Sequence, residues 1–321
     1  MSRSPFLEEV RAEMRTRHYS IRTEKSYLYW IKSFILFNHK RHPKELANSE
    51  IESFLSYLAN QRNVSSATQN QALCALMFMY KHILHIEITQ LAYQYTRAPK
   101  RMPCVLSHHE VQQIFAYLTG RNWLIAAILY GCGLRINEAL RLRVKDVNFD
   151  NHTLFIFRGK GAKDRYTLLP HCLLDALQQQ IQFSLQIHRQ DIAQGYGLTS
   201  LPPALIRKYQ SAAKDAAWQY LFPSSHLGQH PHDEYMCRHH IHETTFRRAL
   251  RQAVQQSHVT KRVTAHTFRH SFATQLLLNG VDIRTVQELL GHTDLRTTEI
   301  YTHVMGSRFA HTLSPADRLQ S

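Results

Sequence analysis

Apolar residues in this chain recur mainly at intervals of three and four, the spacing of one helix face, and one segment changes that interval to two. The helical spacing is clear in "YSIRTEKSYLYWIKSFILFNH", where Trp30, Ile31 and Phe34 share a face. "NSEIESFLSYLAN" and "SSATQNQALCALMFMYKHIL" repeat it. Residues 5–90 show no strand pattern, so they predict about four helices, each with one buried face. Side chains that can cap helix starts precede several helical runs: Ser20, Ser65 or Ser66, Ser107 and Asp282.

The interval of two appears in "HTLFIFRGKGAKDRYTLLP", residues 152–170. Two strand-like runs, 153–157 and 165–169, flank a Gly-Lys-Gly turn, which predicts a β-hairpin with Lys160 at or near its tip. Helical patterns lie on both sides of this hairpin. The sequence therefore predicts a mainly α fold, with an all-helical N-terminal domain and a mainly helical C-terminal domain that contains a small antiparallel sheet.

The segment "LAYQYTRAPKRMPCVLSHHEV" interrupts the helical pattern between these domains. Its prolines oppose helix, and three basic side chains resist burial: Arg97, Lys100 and Arg101. The predicted boundaries are 1–90 for the N-terminal domain, 91–103 for a basic linker and 104–321 for the C-terminal domain. An extended basic linker favours contact with a phosphate backbone, and an ordinary surface loop is the alternative.

The charge of the chain narrows the class of partner. The formal net charge is +15 and the pI is about 9.7, so a polyanion is favoured, although a membrane surface or a ribosomal role would also suit such a charge. No apolar run approaches the roughly 20 residues of a membrane span, and the start "MSRSPFLEEV" lacks a signal-peptide core, so a cytoplasmic protein is expected. The 5 cysteines are scattered, which favours reduced thiols.

The segment "HTFRHSFATQLLLNG" combines a cationic helix start with an apolar stripe. His266 and Arg269 lie three positions apart and share a face, while Phe268 and Phe272 lie four apart on the buried side. The first turn of a helix also carries unpaired amides that favour anions. Such a helix start can hold a phosphate, although a His and an Arg on one face are more often only solvated surface.

Further basic motifs lie on either side of this helix. "GCGLRINEAL" places Arg135 just after a Gly-Cys-Gly break, and "VDIRTVQELLGHTDLRTTEIYTHV" places Tyr301 nine positions after His292. In order along the chain, "GLRINE", "GKGAKDR", "HTFRHSFAT" and "LLGHTDLRTTEIYTHV" resemble the catalytic domain of tyrosine recombinases, the phage-integrase family. These motifs span about residues 135–304.

The resemblance implies the tyrosine-recombinase fold, with an N-terminal DNA-binding domain and a C-terminal catalytic domain that clamp DNA from opposite sides. It implies cleavage and rejoining of DNA through a 3′-phosphotyrosine, without cofactor, metal ion or ATP. The implied catalytic residues are the nucleophile Tyr301 with Arg135, Lys160, His266, Arg269 and His292.

Chemistry gives each of these groups a role. Arg135 and Arg269 can hold the non-bridging phosphate oxygens, and His292 can donate another hydrogen bond there. His266 is the candidate base for Tyr301, and Lys160 the candidate acid for the leaving 5′-oxygen. Four neighbouring residues have other expected roles. His270 is expected to support the site, and Lys163 and Arg165 are expected to contact the DNA backbone. Glu138 either orients Arg135 or is a solvated surface residue.

An added segment, about residues 189–247, distinguishes this chain from simple family members. Its "LPPALIRKYQSAAKDAAWQYLFPSS" resembles the added helix of integron integrases. That subgroup recombines gene-cassette sites as folded single strands, so DNA partners of both kinds, folded cassette sites and duplex attachment sites, are expected. The predicted base-holding residues, which can stack on extrahelical bases, are Trp218, Pro231, His239 and His240. The alternative is that Trp218 and Tyr220 are core.

The added segment is also rich in histidine, which raises the question of a metal site. Cys237 stands alone among these histidines, and the spacing fits no zinc template, so no metal site is predicted.

The resemblance also implies a homotetramer on DNA, in which the tail 305–321 is exchanged between protomers or packs on its own domain. Three alternative functions stay open at this point. They are a duplex-specific chromosome-dimer or phage recombinase, a type IB topoisomerase, and a DNA-architectural protein with an inactive site.

Overall fold

The structure is a computed structural model that describes residues 4–88, 91, 102–157, 164–201, 203–208, 211–230 and 235–304. The chain divides into two compact units, Met1–Arg101 and Met102–Ser321. Several predicted DNA-contacting or catalytic positions lie outside the described residues: Arg97, Lys100, Arg101, Lys160, Lys163, Pro231 and the tail 305–321. The roles assigned to them remain predictions.

The first unit is helical throughout its described part. Its helices are α1 (Pro5–Thr16), α2 (Ile21–Phe37), α3 (Asn48–Asn60) and α4 (Ser66–Met79), and α4 continues into a π-helical turn, Tyr80–Leu84. The predicted stripes form its core, since Ile31, Phe34 and Phe54 are all buried. The predicted caps also form, because the Ser20 and Ser65 hydroxyls accept hydrogen bonds from the amides of Thr23 and Thr68.

The second unit surrounds a buried helix with further helices. The helices are α5 (His108–Phe115), α6 (Gly120–Gly131), α7 (Ile136–Leu140), α8 (Leu174–Ala193), α9 (Pro203–Lys208), α10 (Glu243–Gln256), α11 (Ala265–Leu278), α12 (Ile283–Leu290) and α13 (Arg296–Val304). Helix α6 is apolar on all sides, with Ile125, Ile128 and Leu129 inaccessible to solvent, and it packs against α11. The predicted mainly helical fold is confirmed.

The predicted hairpin belongs to a three-stranded antiparallel sheet in the order β1 (Val147–Asn148), β2 (Thr153–Ile156) and β3 (Arg165–Leu168). Leu154 and Ile156 are buried on one face, as the interval of two requires. A second, two-stranded sheet of β4 (Gly228–Gln229) and β5 (Met236–Cys237) was not predicted from the sequence. Strands of two residues are too short to produce a recognisable alternation.

Hydrogen bonds from Arg143 join the added segment to the rest of the second unit, and an ion pair joins two residues within the segment. Arg143 donates to the Ser200 carbonyl at 2.8 Å and to the backbone carbonyl of Trp218. Arg238 forms a two-pronged ion pair with Asp191, at 2.5 Å for both contacts. Among the described helices, none combines the length and the apolar surface that a bilayer crossing needs.

Candidate active site

Arg135 is the N-cap residue of α7 and lies at the end of a tight turn that depends on Gly133. Gly133 has φ +67°, and a Cβ atom there would lie 2.4 Å from the ring of Phe272 on α11. Glycine therefore lets the turn after α6 approach α11 closely. Arg135 donates from its backbone amide to Glu138 Oε2 at 2.9 Å and from Nη1 to Glu138 Oε1 at 2.7 Å. The side chain of Arg135 stays 18% exposed, so it can reach a ligand.

Glu138 is the anion that holds three arginines together. Besides Arg135, it accepts two hydrogen bonds from Arg165, at 3.1 and 2.8 Å, and its Oε2 lies 3.8 Å from Arg269 Nη1. Burial raises the pKa of Glu138, but the hydrogen bond and charge of Arg165, together with Arg135, outweigh burial and lower the pKa to about 2. Glu138 therefore orients Arg135, one of the two alternatives that the sequence left open.

The structure places Arg165, which the sequence predicted to contact the DNA backbone, against Glu138 and the end of α12. Its side chain is only 10% exposed, and its Nε donates to the Leu289 carbonyl at 3.0 Å while both Nη atoms bind Glu138. It also packs against Gly291, where an added Cβ would lie 2.8 Å from Arg165 Cδ. Arg165 thus ties strand β3 to Glu138 and to the end of α12.

Arg269 lies at the centre of the cluster and is 2% exposed. Its Nη1 donates to the Gly133 carbonyl at 2.5 Å, and its Nη2 donates to the Leu290 carbonyl at 2.6 Å. Burial and the charge of Arg135 lower the pKa of Arg269 to about 9, which leaves it cationic at neutral pH. One guanidinium therefore connects the turn before α7 to the end of α12.

His292 follows the left-handed residue Gly291 that ends α12. Its Nε2 lies 3.1 Å from Arg269 Nη2, and its Nδ1 lies 2.9 Å from Thr298 Oγ1. Because a guanidinium only donates, Nε2 accepts, and a neutral ring then carries its proton on Nδ1 and donates to Thr298. These two bonds hold the imidazole plane beside Arg269.

Tyr301 lies on α13 with its side chain only 1% exposed. Its ring stacks on His292 with a centroid distance of 6.4 Å and an interplanar angle of 14°. Burial raises the pKa of Tyr301, while the charges of Arg269 and Arg135 act in the opposite direction. The structure therefore brings Tyr301, Arg135, Arg269 and His292 together within one chain.

The sequence assigned the role of base for Tyr301 to His266 and a supporting position to His270, both on α11. His270, not His266, contacts the phenol, with Nδ1 3.0 Å from Tyr301 Oη. The rings of His266 and His270 are 6.2 Å apart. Burial and the charges of Arg269 and Arg135 lower the pKa of His266. The two residues are one helical turn apart on the same face, so spacing could not decide which one meets α13.

Three of the predicted base-holding residues, Trp218, His239 and His240, lie in a cluster of aromatic and cationic side chains. The Tyr220 ring is 7% exposed and lies 5.2 Å from each of the His239 and His240 rings. Burial and His239 lower the pKa of His240 to about 3, so its ring is neutral. Lys145 Nζ lies 4.3 Å from the Trp218 ring centre. Tyr220 is therefore core, as the alternative held, and Trp218 remains half-buried at the edge of the cluster.

The added segment contains side chains of the types that bind metal ions. In the ranges that the structure describes, no group of three or more His, Cys, Asp or Glu side chains is arranged to hold a metal ion. Among the described residues of the His-rich stretch, the rings of His239 and His240 pack against Tyr220.

Comparison with known proteins places the two units in one protein family. The model of the phage integrase family matches residues 104–308, and the model of its N-terminal SAM-like domain matches residues 6–90. An integrase/recombinase of Escherichia coli is 45% identical over 314 residues, which cover 98% of this chain and 93% of that relative.

Two further similarities extend this result. Tyrosine recombinase XerC of Halalkalibacterium halodurans is 30% identical over 268 residues, 80% of this chain and 78% of that protein. A crystal structure of a lambda integrase dimer bound to a COC′ core site aligns with a TM-score of 0.64 over 98% of this chain and 100% of the other, at 14% identity. At that identity the structural likeness shows the fold alone.

Proposed function

The chain belongs to the phage integrase family and is a tyrosine site-specific recombinase, and from this premise we propose that it cuts and rejoins DNA through a 3′-phosphotyrosine formed by Tyr301. The observation that supports the proposal is that the Tyr301 ring stacks on His292, whose Nε2 accepts a hydrogen bond from Arg269 Nη2 at 3.1 Å. The nucleophile and the cations that a phosphorane requires are thus supplied by one chain.

The arginines provide the charge that the transition state requires. Phosphodiester cleavage places added negative charge on the non-bridging oxygens, and guanidinium groups bind such oxygens with charge-assisted hydrogen bonds. Arg135 is held by Glu138, and Arg269 by two backbone carbonyls, so neither needs reorganisation when the phosphate binds. His266 lies on the first turn of α11, three residues before Arg269, and is the proposed further donor to the phosphate.

The bond changes balance without another reactant. The Tyr301 hydroxyl loses its proton to a histidine of the site, and its oxygen forms a bond to phosphorus while the bond from phosphorus to the 5′-oxygen breaks. The leaving 5′-oxygen receives a proton, for which Lys160, between β2 and β3 in the sequence, is the proposed donor. Attack by a 5′-hydroxyl from another strand then reverses these steps, so rejoining requires no ATP.

A nicked substrate tests this proposal directly. Cleavage near a nick releases a short fragment, which prevents rejoining and accumulates the covalent complex. We expect mass spectrometry of the digested complex to find a nucleotide on Tyr301, and light scattering of the intact complex to find four protein subunits. An adduct on another residue, or no adduct with any site from a recombination-proficient element, would contradict the proposal.

We also propose that the enzyme is of the integron-integrase kind and recombines gene-cassette sites as folded single strands. The support is the added segment, which resembles that subgroup and places Trp218 at the edge of an aromatic cluster fastened by Arg143. An indole in this position can stack on an extrahelical base. The competing proposal is a recombinase that acts only on duplex sites, favoured by the similarity to XerC.

Substitution of Trp218 by Ala separates these two proposals. Loss of one base-stacking contact, worth about 1–3 kcal/mol, should weaken binding to a folded single-stranded cassette site by roughly 5- to 150-fold. Binding to a duplex attachment site should change less than about twofold, which is within the range of a surface substitution. The measurement is titration of both labelled DNAs by fluorescence anisotropy at one salt concentration.

The matched control is Tyr196→Ala, which removes a ring that is 43% exposed in the same added segment. It should leave both affinities unchanged. Equal losses on the two DNAs after Trp218→Ala, or no loss on either, would favour the duplex-specific alternative.

A further inference from the structure

We propose that His270 is the group that accepts the proton of Tyr301 when the phenol attacks phosphorus. The inference rests on the proposed function, because a proton acceptor is needed only if Tyr301 is the nucleophile. It assigns to His270 the role that the sequence expectation gave to His266.

The geometry of the free protein already meets the requirement for a general base. Nδ1 of His270 lies 3.0 Å from Oη of Tyr301, within the range of about 2.6–3.2 Å for direct proton transfer. The ring centres are 5.5 Å apart, with the planes at 52°. With the proton of the neutral ring on Nε2, Nδ1 accepts the hydrogen bond that the phenol donates.

The other imidazoles of the site are less suitably placed. His292 faces the Tyr301 ring in a stacked arrangement, and its two nitrogens contact Arg269 and Thr298. His266 lies one turn before His270 on α11, with its ring 6.2 Å from that of His270. Within the described residues, the hydrogen bond recorded at Tyr301 Oη is the one to His270.

The proton moves from oxygen to nitrogen as the new bond forms. The O–H bond of Tyr301 breaks, its electron pair forms the bond to phosphorus, and Nδ1 of His270 takes the proton. The 5′-oxygen leaves with the electrons of the broken P–O bond and receives its proton from the proposed acid, Lys160. On rejoining, the imidazolium returns its proton to Tyr301.

Burial of Tyr301 and of His270 keeps the proton on the phenol in the free protein. Burial and the charges of His266 and Arg269 on its own helix lower the pKa of His270 to about 4, while burial raises the pKa of Tyr301 on α13. A phosphate between Arg135 and Arg269 brings a negative charge that offsets these cations and favours the imidazolium. The free enzyme therefore keeps its nucleophile neutral, and substrate binding enables proton transfer.

The experiment measures single-turnover cleavage of a suicide substrate whose scissile 5′-oxygen is replaced by sulfur. A thiolate can leave without receiving a proton. The pH dependence of the cleavage rate then reports the deprotonation of Tyr301 and not the protonation of the leaving group. For the wild type we expect a rate that is constant between pH 6 and pH 8, because the neutral form of His270 predominates there. A wild-type rate that rises tenfold per pH unit across this range would overturn the inference, and this measurement needs no variant.

Two variants separate proton transfer from positioning. His270→Asn keeps an acceptor oxygen close to the position of Nδ1 but cannot take up a proton, and His270→Phe keeps the ring volume without an acceptor. Both should cleave about 10²–10³-fold more slowly at pH 7, with a rate that rises tenfold per pH unit, because general base catalysis contributes about 10²–10⁴-fold. An Asn variant with the wild-type rate and profile would show that His270 only positions the phenol.

The comparison variant is His266→Asn. If His266 assists only in phosphate binding, this variant lowers the cleavage rate, and that rate stays independent of pH between pH 6 and pH 8. A pH-dependent profile in His266→Asn together with a constant profile in His270→Asn would return the role of base to His266. If the wild type forms no adduct at all, the proposed function fails rather than this inference.

Discussion

Tyr301→Phe abolishes covalent capture of DNA while the protein keeps its fold and its affinity for the site. The ring of Tyr301 is 1% exposed, and Phe fills the same volume against His292. The substitution removes one hydrogen bond, to His270, so the expected loss of unfolding free energy is about 1–3 kcal/mol, including the unsatisfied imidazole nitrogen. Cleavage falls below detection, because no other oxygen replaces the nucleophile.

The measurement combines denaturing gel analysis of the trapped complex with anisotropy titration of the same DNA. The matched control is Tyr166→Phe, the same chemical change at a β3 residue that is 63% exposed, and it should form the adduct at the wild-type rate. An adduct that persists in Tyr301→Phe would refute the assignment of the nucleophile. Loss of DNA binding in that variant would show that the phenol serves recognition as well as chemistry.

Much of this architecture was predictable from the sequence because the signals are local. The stripes of α2 and α3 and the caps at Ser20 and Ser65 depend on residues a few positions apart, and all of them form. The hairpin was evident from the alternation of Leu154 and Ile156. These features depend on the periods of a helix and a strand, which a single sequence displays.

The contacts within the site were less predictable because they depend on how distant segments pack. Arg165 is basic and follows a hairpin, so the sequence suggested contact with DNA, but the residue that neutralises it, Glu138, lies 27 positions away. His266 and His270 share one face of α11, and only the docking of α13 determines that His270 meets Tyr301. The local signal of the ion cluster in the sequence was a glutamate, Glu138, three residues after Arg135.

The second large prediction concerns the carboxylate of Glu138. Glu138→Gln should destabilise the catalytic unit by about 3–5 kcal/mol, the usual cost of breaking a buried ion pair. Glu138 is 8% exposed and accepts from Arg135 and Arg165, and a Gln amide would turn an N–H₂ group towards those donors. With three guanidinium groups near one another and no anion between them, the cleavage rate should also fall by at least about 10²-fold.

The pH dependence of stability provides an independent check on this prediction. The pKa of Glu138 is lowered from 4.5 to about 2 in the folded protein, so its contribution is fully present above about pH 5 and is lost as the pH falls towards 2. The difference of about 2.5 pKa units corresponds to about 3 kcal/mol. Urea unfolding should show a large difference in unfolding free energy between wild type and Glu138→Gln at pH 7, and this difference should narrow below pH 5.

The control is Glu243→Gln, at the ion pair with Arg247, which should cost only about 0.3–0.5 kcal/mol. A gap for Glu138→Gln as small as this control, or one independent of pH, would mean that the arginines do not depend on this carboxylate.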